Sequence, residues 1–197
     1  SLWTEITVAF LAKLGVLGYT TFIPLSLSAV ADSKLTQIYM VSDKFRNIIQ
    51  YSSGAFLPVF NRFYLEKKAD LKKLEIIYFL GFVLLLLGCT FFIAIQEEIF
   101  SLLNLRLEGS HIFSILILSV LAIYLTNFFG VLKVFHSGHP IFYLLPLLVA
   151  GVVALISFSR VLEQYGVIGL AGLVLAIEFF ILSAYLLFNV YITRVKK

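Results

Sequence analysis

The stretch "FVLLLLGCTFFIAI", Phe82 to Ile95, carries no charge and no alternation of apolar with polar positions. Inside a bilayer every backbone N–H and C=O must find an internal partner, which leaves helices and closed barrels as the spanning structures. A barrel strand alternates lipid-facing and lumen-facing side chains, and this stretch does not. It reads as a membrane helix, and it sets the reading of the rest.

Outward from it the chain keeps the same character. Hydrophobic residues make up 61% of the 197 positions and charged residues 13%, and the mean hydropathy is +1.03. A soluble domain is roughly half apolar and a quarter charged. Six hydrophobic segments can be drawn: Ile6 to Ala29, Leu35 to Phe60, Leu74 to Ile95, Ile112 to Leu132, Ile141 to Phe158 and Val167 to Ile192. Each approaches the length of about 20 residues that a spanning helix needs. The expected fold is an all-α integral membrane protein, a bundle of six transmembrane helices filling residues 1–197, with no room for a sizeable soluble domain.

The connections set an expected orientation. The strongly charged one is "NRFYLEKKADLKK", Asn61 to Lys73, with five basic and two acidic residues. That loop, Lys133, and the tail's Arg194, Lys196 and Lys197 put nine basic residues on one side, against Lys34, Arg106 and Arg160 on the other. Lysine and arginine collect in cytoplasmic loops, so both ends of the chain are expected in the cytoplasm. The net charge of +4 is accounted for by this rule and by contact with membrane lipid headgroups. No nucleic-acid-binding signature accompanies it. The first residue is Ser1, and the opening lacks the basic region and cleavage site of a signal peptide. The chain is expected to be part of a longer one.

The second segment breaks the pattern. On a helix, Asp43, Arg46, Asn47, Gln50 and Gly54 fall on one continuous face. Lys44 lies to one side, and Ile38, Val41, Phe45, Ile48 and Ile49 lie opposite, suiting lipid or a packed neighbour. A charge at a membrane helix centre costs about 2.5 to 3.5 kcal/mol on insertion scales. Two arrangements answer that cost. Asp43 and Arg46 can pair at i, i+3 with the face packed on another helix, or the face can line a water-filled cavity. The second is favoured here, because one carboxylate does not neutralise Asp43, Lys44 and Arg46 together, and Lys13 adds a cation within the first segment. Excess positive charge at that depth suits an anionic ligand. The candidate cavity residues are therefore Lys13, Asp43, Lys44, Arg46, Asn47 and Gln50.

Other features are weighed beside these. Pro24 and Pro58 interrupt the first two segments, as an ordinary kink or as the broken helices of transporters. Glu178, within the sixth segment, is a candidate coupling site or an interhelical hydrogen-bonding group. Gly166, Gly169 and Gly172, at steps of three, suit close helix packing. His136 and His139 flank a short loop and make a weak metal signal, Glu97 and Glu98 suit a solvated helix end, and Cys89 sits in an apolar run as an inert thiol. No phosphate-binding glycine loop, zinc-protease helix or hydrolase elbow occurs. No catalytic residue, metal or cofactor is assigned.

Three stretches together resemble a family. "KFRNIIQYSSGAFLPVFNRF", Lys44 to Phe63, with the basic loop after it, resembles the eighth helix and following loop of bacterial O-antigen flippases, polysaccharide exporters in the superfamily that also holds multidrug antiporters. "LTNFFGVLKVFHSGH" is similar to that family's tenth helix in Asn127, Gly130 and Lys133. "YGVIGLAGLVLAIEF" resembles its Tyr-Gly-x-x-Gly-Ala-Ala-x-Ala motif in Tyr165, Gly166, Gly169 and Ala171, with Glu178 further on, while Leu170 and Leu173 replace the usual alanines.

The resemblance implies a C-terminal half of a two-bundle exporter in the bacterial inner (cytoplasmic) membrane. It implies a flippase rather than an enzyme, one that moves an undecaprenyl-pyrophosphate-linked oligosaccharide between leaflets and whose missing N-terminal half completes the site. A cation-coupled multidrug exporter of the same fold is the alternative. A membrane polysaccharide polymerase or ligase fits less well, since the longest outward loop, Gln96 to His111, is only 16 residues.

Overall fold

The computed structural model describes residues 2–30, 34–54, 58, 62, 71–105, 109–135 and 140–195. The surroundings of Pro58, most of the basic loop, Arg106, the His136 and His139 pair, and Lys196 and Lys197 lie outside the described residues. Among the described residues the chain is helical, with no strand. In order come α1 (Leu2–Thr20), α2 (Phe22–Val30), α3 (Lys34–Gly54), α4 (Leu71–Ala94), the short α5 (Gln96–Leu102), α6 (Ser110–Thr126), a π-helical continuation of α6 (Asn127–Val134), and α7 (Pro140–Val195).

Among the described residues four stretches are long and apolar enough to cross a membrane: Ile6–Ala29, Lys73–Ala94, Ser110–Val134 and Pro140–Arg194. The first joins α1 and α2 through a single turn residue. Pro24 has no N–H, so it offers no donor to the carbonyl of Thr20 four residues back. The hydrogen bonds from Thr21 N to Leu17 O (3.2 Å) and from Leu25 N to Thr21 O (3.1 Å) persist on either side. The interruption is a kink, and the helix continues. Although α3 has 21 residues, it is too polar to stand among the four.

The last stretch corrects the expected boundary between the fifth and sixth segments. Helix persists past Phe158, through Arg160, Glu163 and Gln164, and reverses at one residue, Gly166, with φ 62° and ψ −156°. That backbone region belongs almost entirely to glycine, because a Cβ would clash there. The two halves of α7 then lie side by side. Phe142 stacks on Phe188 with ring centroids 4.8 Å apart, Tyr143 stacks on Tyr185 at 5.7 Å, and the Tyr185 hydroxyl donates to the Tyr143 carbonyl at 2.7 Å.

Between lipid-facing helices water supplies no drive to associate, so close packing of small residues matters more. The close contact runs between α1 and α7, at Gly15, Gly18 and Gly151. A Cβ on Gly15 would lie 2.6 Å from the Leu147 carbonyl oxygen, and one on Gly151 2.7 Å from that of Gly15. This relocates the expected glycine packing. Gly166 is the reversal, a Cβ on Gly169 would meet its own turn at Tyr165 and Val161, and Gly172 has nothing within 4 Å.

The buried core runs through Ile23 and Leu27 of α2, Ile112, Leu116 and Ile117 of α6, and Leu170, Val174 and Ile181 of α7. Most of α4 stays exposed, including Ile76, Phe79, Leu84 and Phe91, as suits a helix facing lipid. It is fastened at Tyr78, whose hydroxyl donates to the Tyr124 carbonyl (2.6 Å), while the Tyr124 hydroxyl donates to that of Tyr78 (3.1 Å). Gly81 leaves the space that the Tyr124 hydroxyl fills. Cys89 is fully buried, its Sγ 3.8 Å from the Ile117 carbonyl oxygen.

Candidate functional site

The polar face of α3 turns into the protein. Arg46 is 1% exposed and heads the fully buried side chains by size. Its Nη2 lies 2.8 Å from Asp43 Oδ1, the i, i+3 pair that the sequence allows. Asn47 donates from Nδ2 to the other carboxylate oxygen, Oδ2, at 3.0 Å. Helical spacing alone brings these three together, since positions three and four apart share a face.

The long-range partners come from α1 and α7. Glu178 is 2% exposed, and it shares the lining of one cavity with Tyr19 of α1. The charge of Arg46 acts on Glu178, Tyr19 and Tyr39. Among the described residues, Nε and Nη1 of Arg46 and the hydroxyl of Thr126 are buried without a hydrogen-bond partner. Such atoms are costly in a dry interior.

Beside this cluster lies a cavity of about 90 Å³ lined by Tyr19, Gln50, Thr126, Asn127, Glu178 and Tyr185, among others. Its walls mix these polar groups with the apolar Val16, Ile123, Val131 and Leu147, and its size is ample for water molecules. The π-helical stretch supplies Asn127 and Val131 to it. Widened turns of this kind recur at functional sites. Gly130 in the same stretch leaves room for the Tyr185 ring, whose Cε2 would lie 2.4 Å from an added Cβ.

Of the residues singled out in the sequence, Asp43, Arg46, Asn47, Gln50 and Glu178 are brought to this region. Lys13 and Lys44 are not. Both are exposed: Lys13 shares an outward stripe of α1 with Phe10 and Leu17, and Lys44 shares one of α3 with Ile48 and Tyr51. The opposite face of α3, expected to suit lipid or a packed neighbour, does both. Ile38 is buried, Phe45 packs edge-on against Phe92 and Phe113, and Ile48 is 61% exposed. The buried cluster holds one cation, Arg46, and two acids, Asp43 and Glu178. The positive excess stands on the exterior.

Sequence reasoning missed Tyr19, Tyr39, Thr126 and Tyr185. A tyrosine deep in an apolar helix needs a partner for its hydroxyl, and Tyr185 lies seven residues after Glu178, on the same helical face. That spacing was the available signal. Among the described residues no three His, Cys, Asp or Glu side chains gather as metal ligands.

Among the described residues these features define an all-helical protein with helices long and apolar enough to cross a membrane and a buried ionic cluster. Compared with protein-family models, curated proteins and solved structures, the chain matches none.

Proposed function

We propose that this chain is the C-terminal six-helix half of a two-bundle flippase that moves undecaprenyl-pyrophosphate-linked oligosaccharide units across the bacterial inner membrane for O-antigen or other surface polysaccharide synthesis. The observation that carries the reading is the exposure of Lys13 and Lys44. Lys44 stands at the middle of α3, where a charge against lipid costs about 2.5 to 3.5 kcal/mol. That face needs water or protein over it, and an opposing bundle around a shared aqueous path supplies both. The lysines offer an ammonium surface for a diphosphate or acidic sugars. The two halves of α7 and the polar α3, added to the other three spans, make six crossings, with both ends and the basic loop in the cytoplasm.

One observation favours a second reading within the same fold. The two buried acids, Asp43 and Glu178, suit cation-coupled export of a drug, with Glu178 as the coupling group. Complementation separates the two. The full-length protein, expressed in a strain lacking its lipid-linked-oligosaccharide flippase, restores surface glycan under the first reading. Under the second it confers only drug resistance. Insertion with neither phenotype refutes both. The 197-residue chain alone is expected to insert without restoring glycan, and its co-expression with the missing half is expected to restore it.

A further inference from the structure

A pocket of about 360 Å³ lies at one end of the spanning helices, between α4 and the π-helical stretch, and shares no lining residue with the cavity beside the ionic cluster. Its mouth is an ion pair, Lys133 with Glu75, whose side chains are 25% and 46% exposed. Glu75 is near the start of the span Lys73–Ala94 and Lys133 near the end of Ser110–Val134, so both stand at the same membrane boundary. Below them the walls are aromatic: Tyr78, Phe82, Phe128 and Phe129. Phe82 is seven residues beyond Glu75, so the pocket reaches about 10 Å into the apolar layer.

The walls are held in place from behind. Tyr78 and Tyr124 exchange hydroxyl-to-carbonyl hydrogen bonds, and Phe128 packs on Tyr78 at 4.6 Å and edge-on against Phe129 at 5.1 Å. The Lys133 ammonium sits 5.3 Å from the Phe128 ring centroid. A cation and a carboxylate side by side over an aromatic slot, at the level of the headgroups, match one kind of molecule in charge and shape.

We infer that this pocket binds a phospholipid with a primary ammonium headgroup. Its phosphate rests on Lys133, its ammonium donates to Glu75, and the start of an acyl chain lies along Phe82 and Phe128. An exposed ion pair contributes little by itself, so the lipid exchanges it for two charge-assisted contacts at small cost. An anionic glycerol headgroup would set its phosphate beside the Glu75 carboxylate with no ammonium to answer it. A quaternary choline headgroup carries the positive charge but has no N–H to donate.

The test is native mass spectrometry of the full-length protein in detergent with added phosphatidylethanolamine, phosphatidylcholine or phosphatidylglycerol. Retention of the ethanolamine lipid should exceed that of the choline lipid about tenfold, the scale of one hydrogen bond to a charged group. Glu75→Gln should bring the two to the same level, and Lys133→Gln should weaken all three lipids. Both side chains are partly exposed, so neither change burdens folding. Phe82→Trp fills the slot without touching a charge and should lower retention of every lipid. Equal retention of the ethanolamine and choline lipids by the unaltered protein overturns the inference. So does a preference for phosphatidylglycerol, or an ethanolamine preference that survives Glu75→Gln.

Discussion

Gly151→Ala adds one carbon at the crossing of α1 and α7, 2.7 Å from the Gly15 carbonyl oxygen and 3.2 Å from its Cα. Ordinary contact begins at 3.4 Å, so the oxygen is roughly 0.7 Å too close. Both obstructing atoms are backbone, and no side chain can rotate aside. The helices must part, which loosens a run of contacts, and overpacking of this kind costs about 1–3 kcal/mol. Alanine's better helix propensity returns about 1 kcal/mol. The net expectation is a loss of about 1 kcal/mol, or about 2–4 °C in melting temperature for a chain of this size. Gly172→Ala is the control, since nothing lies within 4 Å of its added carbon and only the propensity gain of about 1 kcal/mol remains. Purified in detergent, heated in steps and run on fluorescence-detected size exclusion, the alanine at 151 should melt below the parent and the alanine at 172 at or above it. The reverse order would refute the placement of the close contact at Gly15 and Gly151.

Three further outcomes are expected. Arg46→Glu sets a third acid beside Asp43 and Glu178 and should cost about 3–5 kcal/mol, seen as loss of the monodisperse peak, whereas Arg46→Lys keeps the charge without the planar fork and should lose less; unchanged stability of the Glu variant would mean that the cluster imposes no charge balance. Gly166→Ala forces a side chain into a backbone region suited to glycine, and the melting temperature should fall by an amount reflecting about 1–3 kcal/mol; an unchanged value would argue against the reversal at that residue. In the full-length protein, a cysteine at Lys44 should react with a small water-soluble thiol reagent and one at Arg46 should be protected, and equal reaction at the two would contradict the division of α3 into an outward and an inward face.

The four long apolar stretches were legible because lipid imposes a local rule: apolar side chains for the length of a helix, whatever the neighbours do. The Asp43 and Arg46 pair was legible for the same kind of reason, since helical spacing alone joins them. Glu178 was also legible as an odd acid in an apolar run, but its nearness to Tyr19 was not, because 159 positions separate them and nothing in either run reports the other. The two glycine sets make the point sharply. Gly166, Gly169 and Gly172 have the regular spacing, yet the close approach is made by Gly15, Gly18 and Gly151, which depend on how α1 crosses α7. Likewise the spacing of Lys44 and Arg46, two residues apart, fixed that they point differently, but which of them faces the interior follows from the packing of α3 on α6 and α7.

The buried cluster also bears on the order in which the protein can be made. As a ribosome delivers the chain, α3 emerges with Asp43, Arg46 and Asn47 already able to meet one another, but α7 with Glu178 follows more than a hundred residues later. Until then α3 has α6 to pack against but the guanidinium lacks the other acid, and α3 is too polar for the bilayer to accept on its own terms. It must wait in water, at the membrane surface or in the shelter of the insertion machinery. The completion of its charged cluster is a late event that depends on the last helix, and a chain cut short before Glu178 should leave Arg46 without its second acid.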